Sequence, residues 1–259
     1  MVKIAIIQYS TYGHITLLSK EILKGIKFNQ NSNLHQVDIF QIPETLSDDV
    51  LTLINAPVKP NDIPLITLEK LVEYDAFIFG ISTRFGTLPT QWSNFWDSTG
   101  DLWINGSLHG KPVGLFVSTG TLGGGQEITI RNSLSYLIHH GLIYIPLGYK
   151  PVFNELTDLS TVHGGSPWGS GTLAGGDGSR FPNELELKIA FKQGEDFIKR
   201  IAKFYSLDKQ ENEIVKENKI VKENDIIKSK EREIIKSNNE KTKNACCIVM
   251  YLANSVISV

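Results

Sequence analysis

Apolar residues fall in short unbroken runs along the first 145 positions, separated by amphipathic or loop-like stretches. Residues 4–9 read as a buried strand, and 16–28 as an amphipathic helix with Leu17, Leu18, Ile22, Leu23 and Ile26 on its inner face. Residues 37–40 predict a short second strand that is stopped by Pro43. A proline-containing excursion over 43–66 and a short helix over 68–74 come next. Three further strands are predicted at 76–81, 113–117 and 142–145. Strands that are apolar throughout, rather than at every second position, belong to a parallel sheet covered on both faces.

Five such strands fit an α/β, flavodoxin-like doubly wound sheet of order 2-1-3-4-5, whose ligand crevice lies at the carboxyl ends of the strands. The pattern stops near residue 205. Residues 206–244 carry ten Lys or Arg and nine Asp or Glu but no aromatic residue, and "IVKEN" occurs at 214–218 and again at 220–224. A six-residue step turns an apolar pair by about 120° around a helix, so no continuous apolar stripe forms. The stretch reads as a charged, solvated tether, with a short coiled coil as the alternative. Fifteen uncharged residues close the chain. The expected organisation is therefore a flavodoxin-like domain over 1–205, a tether over 206–244 and an apolar segment over 245–259.

Charge narrows the partners. The net charge is −2, and without the tether the remaining 16 basic and 19 acidic residues give −3, so no nucleic-acid partner is expected. The chain opens directly on its first strand, which predicts a cytoplasmic protein. No apolar run reaches the roughly 18 residues of a membrane span. The two cysteines, Cys246 and Cys247, are adjacent, which suits neither a disulfide framework nor a metal cluster, and no histidine pair has metal-ligand spacing. No metal is expected.

Three loops carry the candidate chemistry, each directly after a predicted strand. In the first, Ser10, Thr11, Tyr12, Gly13, His14 and Ile15 lead into the helix, offering hydroxyls, a glycine and unpaired N–H groups that suit a phosphate. Neither a dinucleotide glycine fingerprint nor a P-loop is present there, and an ordinary helix cap is the alternative. In the second, Thr83 and Arg84 are donors and Phe85 is an aromatic cover. The third, "STGTLGGGQE" at 118–127, brings backbone amides near a flat ligand. Together they describe a slot for an aromatic ring bearing one phosphate, which is flavin mononucleotide, FMN.

The segments "YSTYGHI", "FGISTRFGTLPTQW", "TGDLW", "FVSTGTLGGGQE", "LIHHGLIYIPLGY" and "HGGSPWGSGTLAGGDGSRFP" follow one another over residues 1–204. In these the chain resembles the WrbA-type NAD(P)H:quinone oxidoreductases, especially their fungal flavodoxin-like members. The resemblance implies bound FMN, NADH or NADPH as co-substrate, two-electron reduction of quinones, and a homo-oligomer, dimer or tetramer. It places the phosphate loop on residues 10–15, with Tyr12 also at the nicotinamide nucleotide, and the flavin-ring loop on Thr83, Arg84 and Phe85. It places the glycine-rich loop on Ser118, Thr119, Gly120, Thr121, Leu122, Gly123 and Gly124, a flavin-side histidine on His139 and a substrate-side tryptophan on Trp103. Leu122 is an extra residue in that loop, and Ser82 stands where the family commonly has proline. By position alone, His139 and His140 at a helix end and Trp103 would be structural.

At the chain's end, Cys247-Ile248-Val249-Met250 has the C-a-a-X form, with Cys246 as a palmitoylation candidate beside it. Nine residues follow Met250, so prenylation of Cys247 requires their removal; otherwise attachment rests on palmitoylation and the apolar end. The expectation is peripheral attachment to the cytoplasmic face of a membrane, the plasma membrane favoured, against an incidental pair of cysteines. The rivals to a quinone reductase are a one-electron carrier and a membrane-organising protein that keeps the fold.

Overall fold

The computed structural model describes residues 2–28 and 35–206. The chain divides into two compact units, 1–203 and 204–259, and the architecture below is that of the first. The "IVKEN" repeats, Cys246 and Cys247 lie outside the described residues.

The first unit runs β1 (Val2–Gln8), α1 (His14–Phe28), β2 (His35–Gln41), α2 (Asp48–Leu53), α3 (Leu68–Val72), β3 (Ala76–Ser82), α4 (Thr90–Asp97), α5 (Gly100–Ile104) and β4 (Pro112–Thr119). It continues with α6 (Gln126–His139), β5 (Ile143–Tyr144), α7 (Phe153–Leu156) and β6 (Gly171–Leu173). A last helix, α8, begins at 184 and continues to the end of the unit. The strands pair in the order β2-β1-β3-β4-β5, all in parallel, as the apolar runs predict.

The fifth rank of the sheet departs from the expected single strand. β5 pairs only with Pro112 and Val113, at the start of β4. Pro146, which has no N–H to give a ladder, then sends the chain out, and it returns as β6 against Val117–Thr119. The sheet therefore has six strands, the last two sharing one edge of β4.

Helices cover both faces. Cβ atoms built on Gly25 and Gly194 would sit 1.9 Å from the Phe191 carbonyl oxygen and 2.1 Å from that of Ile22, so α1 and α8 touch backbone to backbone. The inner face of α1 passes through Ile15, Leu18, Ile22 and Ile26, all fully buried. Leu17, expected inside, is exposed, because one residue turns the helix by about 100° and Leu18 already holds the inward position. Leu23 is half-buried. Beneath the other face an aromatic cluster joins α4 to the sheet. Trp92 stacks on Trp96 at 6.0 Å, tilts against Phe79 at 5.2 Å and donates its indole N–H to the Gly80 carbonyl at 3.0 Å. That packing fixes the chain just beyond the turn after β3.

Candidate functional site

Parallel strands bring the carboxyl ends of β1, β3, β4 and β6 to one edge, and the four following segments meet there around a slot of about 250 Å³. This is smaller than typical ligand pockets, roughly 300–1,000 Å³, so it covers only part of a ligand.

After β1, the Ser10 hydroxyl accepts the Gly13 N–H at 3.0 Å, and Gly13 turns the chain at φ +93° into α1. The helix's first N–H groups have no intrahelical acceptor and lie at the positive end of its dipole. The buried His14 ring stacks on Phe181 at 5.1 Å, and burial pushes its pKa below the ordinary imidazole value, so it is neutral at pH 7. After β3, the Thr83 N–H donates to the Ser118 carbonyl, and Thr83 Oγ1 shares a hydrogen with Thr129 Oγ1 at 2.7 Å. Arg84 crosses to donate to Thr11 Oγ1 at 3.2 Å, tying the two loops together.

The fourth wall, residues 174–178, was not legible as a site in the sequence. Its flanking residues, Leu173 and Arg180, are held by Glu186, which is fully buried in α8. One oxygen accepts the N–H groups of Gly164 at 2.8 Å and Leu173 at 3.2 Å; the other accepts Thr172 Oγ1 and the Asn183 N–H, both at 2.9 Å. Arg180 Nη1 donates to both oxygens, at 3.1 and 3.0 Å. The Glu186 N–H in turn donates to Asn183 Oδ1, closing a capping box at the start of α8.

Of the predicted residues, Ser10, Thr11, Tyr12, His14, Ile15, Thr83, Arg84, Ser118, Thr119 and Gly120 line this slot. Phe85 stands fully exposed at the tip of its turn with φ +52°, a left-handed conformation uncommon away from glycine. Thr121 accepts from Thr119 Oγ1 and from the Gly124 N–H within its own turn, while Leu122 and Gly123 line a neighbouring depression instead. Trp103, half exposed, and His139 share a different cleft of about 470 Å³ with Trp96 and Tyr136. His140 is buried, with Nε2 2.9 Å from Thr99 Oγ1. Sequence reasoning missed Ser82 as a slot residue as well as 174–178.

Among the described residues, two that line the slot carry buried side-chain atoms without a hydrogen-bond partner, Ser82 Oγ and His14 Nε2. A Cβ on Gly120 would lie 3.4 Å from the Gly175 carbonyl oxygen, in the space between the third and fourth walls. Unpaired donors, a helix N-terminus and a glycine-lined gap fit a ligand with a phosphate end and a flat polar ring, as FMN has.

A parallel sheet of this order, with an anion slot at its strand ends, defines a flavodoxin-like protein. Among solved structures, the flavodoxin, WrbA-like protein from Agrobacterium tumefaciens has the same fold, with a TM-score of 0.51 at 17% identity over 78% of this chain and 98% of that one. The chain belongs to the NADPH-dependent FMN reductase family, whose model matches residues 5–152. It is 56% identical over 210 residues to the NAD(P)H quinone oxidoreductase YCP4 of Candida albicans, covering 81% of this chain and 72% of that protein. It is 54% identical over 204 residues to protoplast secreted protein 2 of Saccharomyces cerevisiae, covering 79% and 100%. The NAD(P)H quinone oxidoreductase PST3 of Candida albicans is also 54% identical, over 201 residues, covering 78% and 98%.

Proposed function

We propose that this FMN-dependent NAD(P)H:quinone oxidoreductase works by a ping-pong cycle, with both substrates using one exposed flavin face in turn. The observation that carries the proposal is the slot's volume of about 250 Å³, below that of typical ligand pockets, which leaves part of a bound flavin uncovered. The chemistry that FMN supplies when bound is acceptance of a hydride from NADH or NADPH and two-electron delivery to a quinone. Residues 10–15 would hold the phosphate through N–H groups and hydroxyls. Thr83, Arg84 and 118–120 would flank the ring, beside the Ser82 hydroxyl. The neutral His14 closes the wall without adding charge, and no side chain need act as a strong base. Phe85, fully exposed in the turn that follows Arg84, would serve as the apolar cover for substrate.

Trp103 and His139 share no cleft with the slot of their own chain. Their reading as substrate-side and flavin-side residues therefore goes with the dimer or tetramer, in which a second copy supplies them. Exposed Phe85, Trp103, Ile104 and Ile138 give such an assembly apolar surface. The cycle has a direct kinetic signature. Initial rates at several fixed quinone concentrations are expected to give parallel double-reciprocal lines, and intersecting lines would mean that both substrates bind together.

Two-electron delivery avoids releasing semiquinone radicals, which supports an antioxidant role. Among the described residues no helix is long and apolar enough to cross a membrane. Attachment is assigned instead to lipidation at Cys246 and Cys247. Changing both to serine is expected to move the protein from membrane to soluble fractions, and a double variant that stays on membranes contradicts lipid attachment.

A further inference from the structure

We propose that Lys59 is a positioning residue for the flavin phosphate, acting through the Ser10–Thr11 peptide group; the inference deepens the FMN reading and rests on it. Lys59 lies in Pro57-Val58-Lys59-Pro60, within the irregular excursion after β2, and Pro60 restricts its backbone. Its side chain reaches the phosphate loop from 49 positions away, where Nζ donates to the Ser10 carbonyl oxygen at 2.5 Å.

The ammonium is deliberately surrounded. It lies 3.3 Å from Glu44 Oε2 and 4.5 Å from the centre of the Tyr9 ring, whose face attracts a cation. Desolvation pushes the lysine's pKa below its ordinary value, with Glu44 pulling the other way. Burial pushes the Glu44 carboxyl up, but hydrogen bonds from the Leu46 N–H, Gln91 and Tyr9 outweigh it and leave Glu44 below the usual carboxylate range. Gln91 Nε2 donates to Glu44 at 2.7 Å and the Tyr9 hydroxyl at 2.9 Å. The Ser10 carbonyl takes one of the three ammonium donors and so couples this buried pair to the phosphate loop.

That carbonyl has a consequence for the slot. In a planar trans peptide, the Ser10 C=O and the Thr11 N–H point in opposite directions. Lys59 lines a cavity of about 260 Å³ on one side of the loop and is absent from the slot's lining, whereas Ser10 and Thr11 border both. A carbonyl held toward Lys59 turns the Thr11 N–H away from that cavity, toward the slot. A charge-assisted bond on the oxygen also polarises the amide, making its N–H a stronger donor to an anion. Arg84 steadies the same residue through Thr11 Oγ1. Lys59 thus strengthens the phosphate site without touching phosphate.

The test compares FMN with riboflavin, which lacks the phosphate, by quenching of flavin fluorescence on the full chain freed of flavin. Lys59→Met is expected to raise the Kd for FMN about ten- to hundredfold, the range of one charged hydrogen bond, and to change that for riboflavin less than about twofold. Lys59→Arg, which keeps the charge, is expected to recover most of the FMN affinity. Should Lys59→Met fail to fold, Lys59→Gln is read in the same way. An unchanged preference for FMN over riboflavin in the Met or Gln variant overturns the inference alone. Absence of FMN binding by the wild-type chain overturns the FMN reading and the inference with it.

Discussion

Glu186→Ala is expected to lower the midpoint of thermal unfolding by about 6–20 °C and to weaken FMN binding together with it. The carboxylate is fully buried and is the acceptor for three backbone N–H groups, a hydroxyl and Arg180. Removing one partner from such a buried set costs about 3–5 kcal/mol. For a domain of this size each kcal/mol moves Tm by roughly 2–4 °C. Arg180 is part-exposed and can turn to water, so the larger share of the loss comes from the N–H groups of Gly164, Leu173 and Asn183. The Leu173 bond also fixes the strand from which the fourth wall of the slot departs. Glu186→Gln, which keeps the shape and some acceptors, is expected to fall between. A melting shift under about 2 °C for the alanine variant would show that the network is not what holds the residues flanking 174–178.

Gly13→Val is expected to weaken FMN binding by up to about a hundredfold. Space is not the obstacle, since a Cβ at Gly13 meets nothing within 4 Å. The obstacle is φ +93°, which a β-branched residue avoids, at a cost of up to about 3 kcal/mol. The loop relieves that strain by changing course, which breaks the Ser10 Oγ to Gly13 N–H bond and moves the first turn of α1. Fluorescence titration checks it, and wild-type affinity in the variant would reduce residues 10–15 to a helix cap.

The sheet was legible because β1, β3 and β4 are buried on both faces and so leave continuous apolar runs. β6 was not, since three residues flanked by glycines and small polar side chains carry no periodic signal. The divided fifth rank hid for the same reason, leaving β5 with two residues. α4 could have been read from Trp92, Phe95 and Trp96, whose spacing of three and four marks one helix face.

The site divides along similar lines. Three walls announce themselves because small hydroxyl residues and glycine directly follow apolar strands. The wall at 174–178 follows the strand that could not be seen. Lys59 is invisible to any local pattern, because its contact with Ser10 spans 49 positions. Trp103 and His139 rest on family resemblance, and one chain brings them to each other rather than to the slot.

The central claim is that the slot binds FMN through its phosphate and presents the flavin for reduction. The most direct measurement is the visible spectrum of the full-length protein, loaded with FMN, during anaerobic addition of NADH or NADPH and then benzoquinone. One FMN per chain is expected, preferred over riboflavin and FAD, with flavin absorbance bleached by the nicotinamide and restored by the quinone. A chain that takes up no FMN, or holds FMN that neither nicotinamide bleaches, would contradict it.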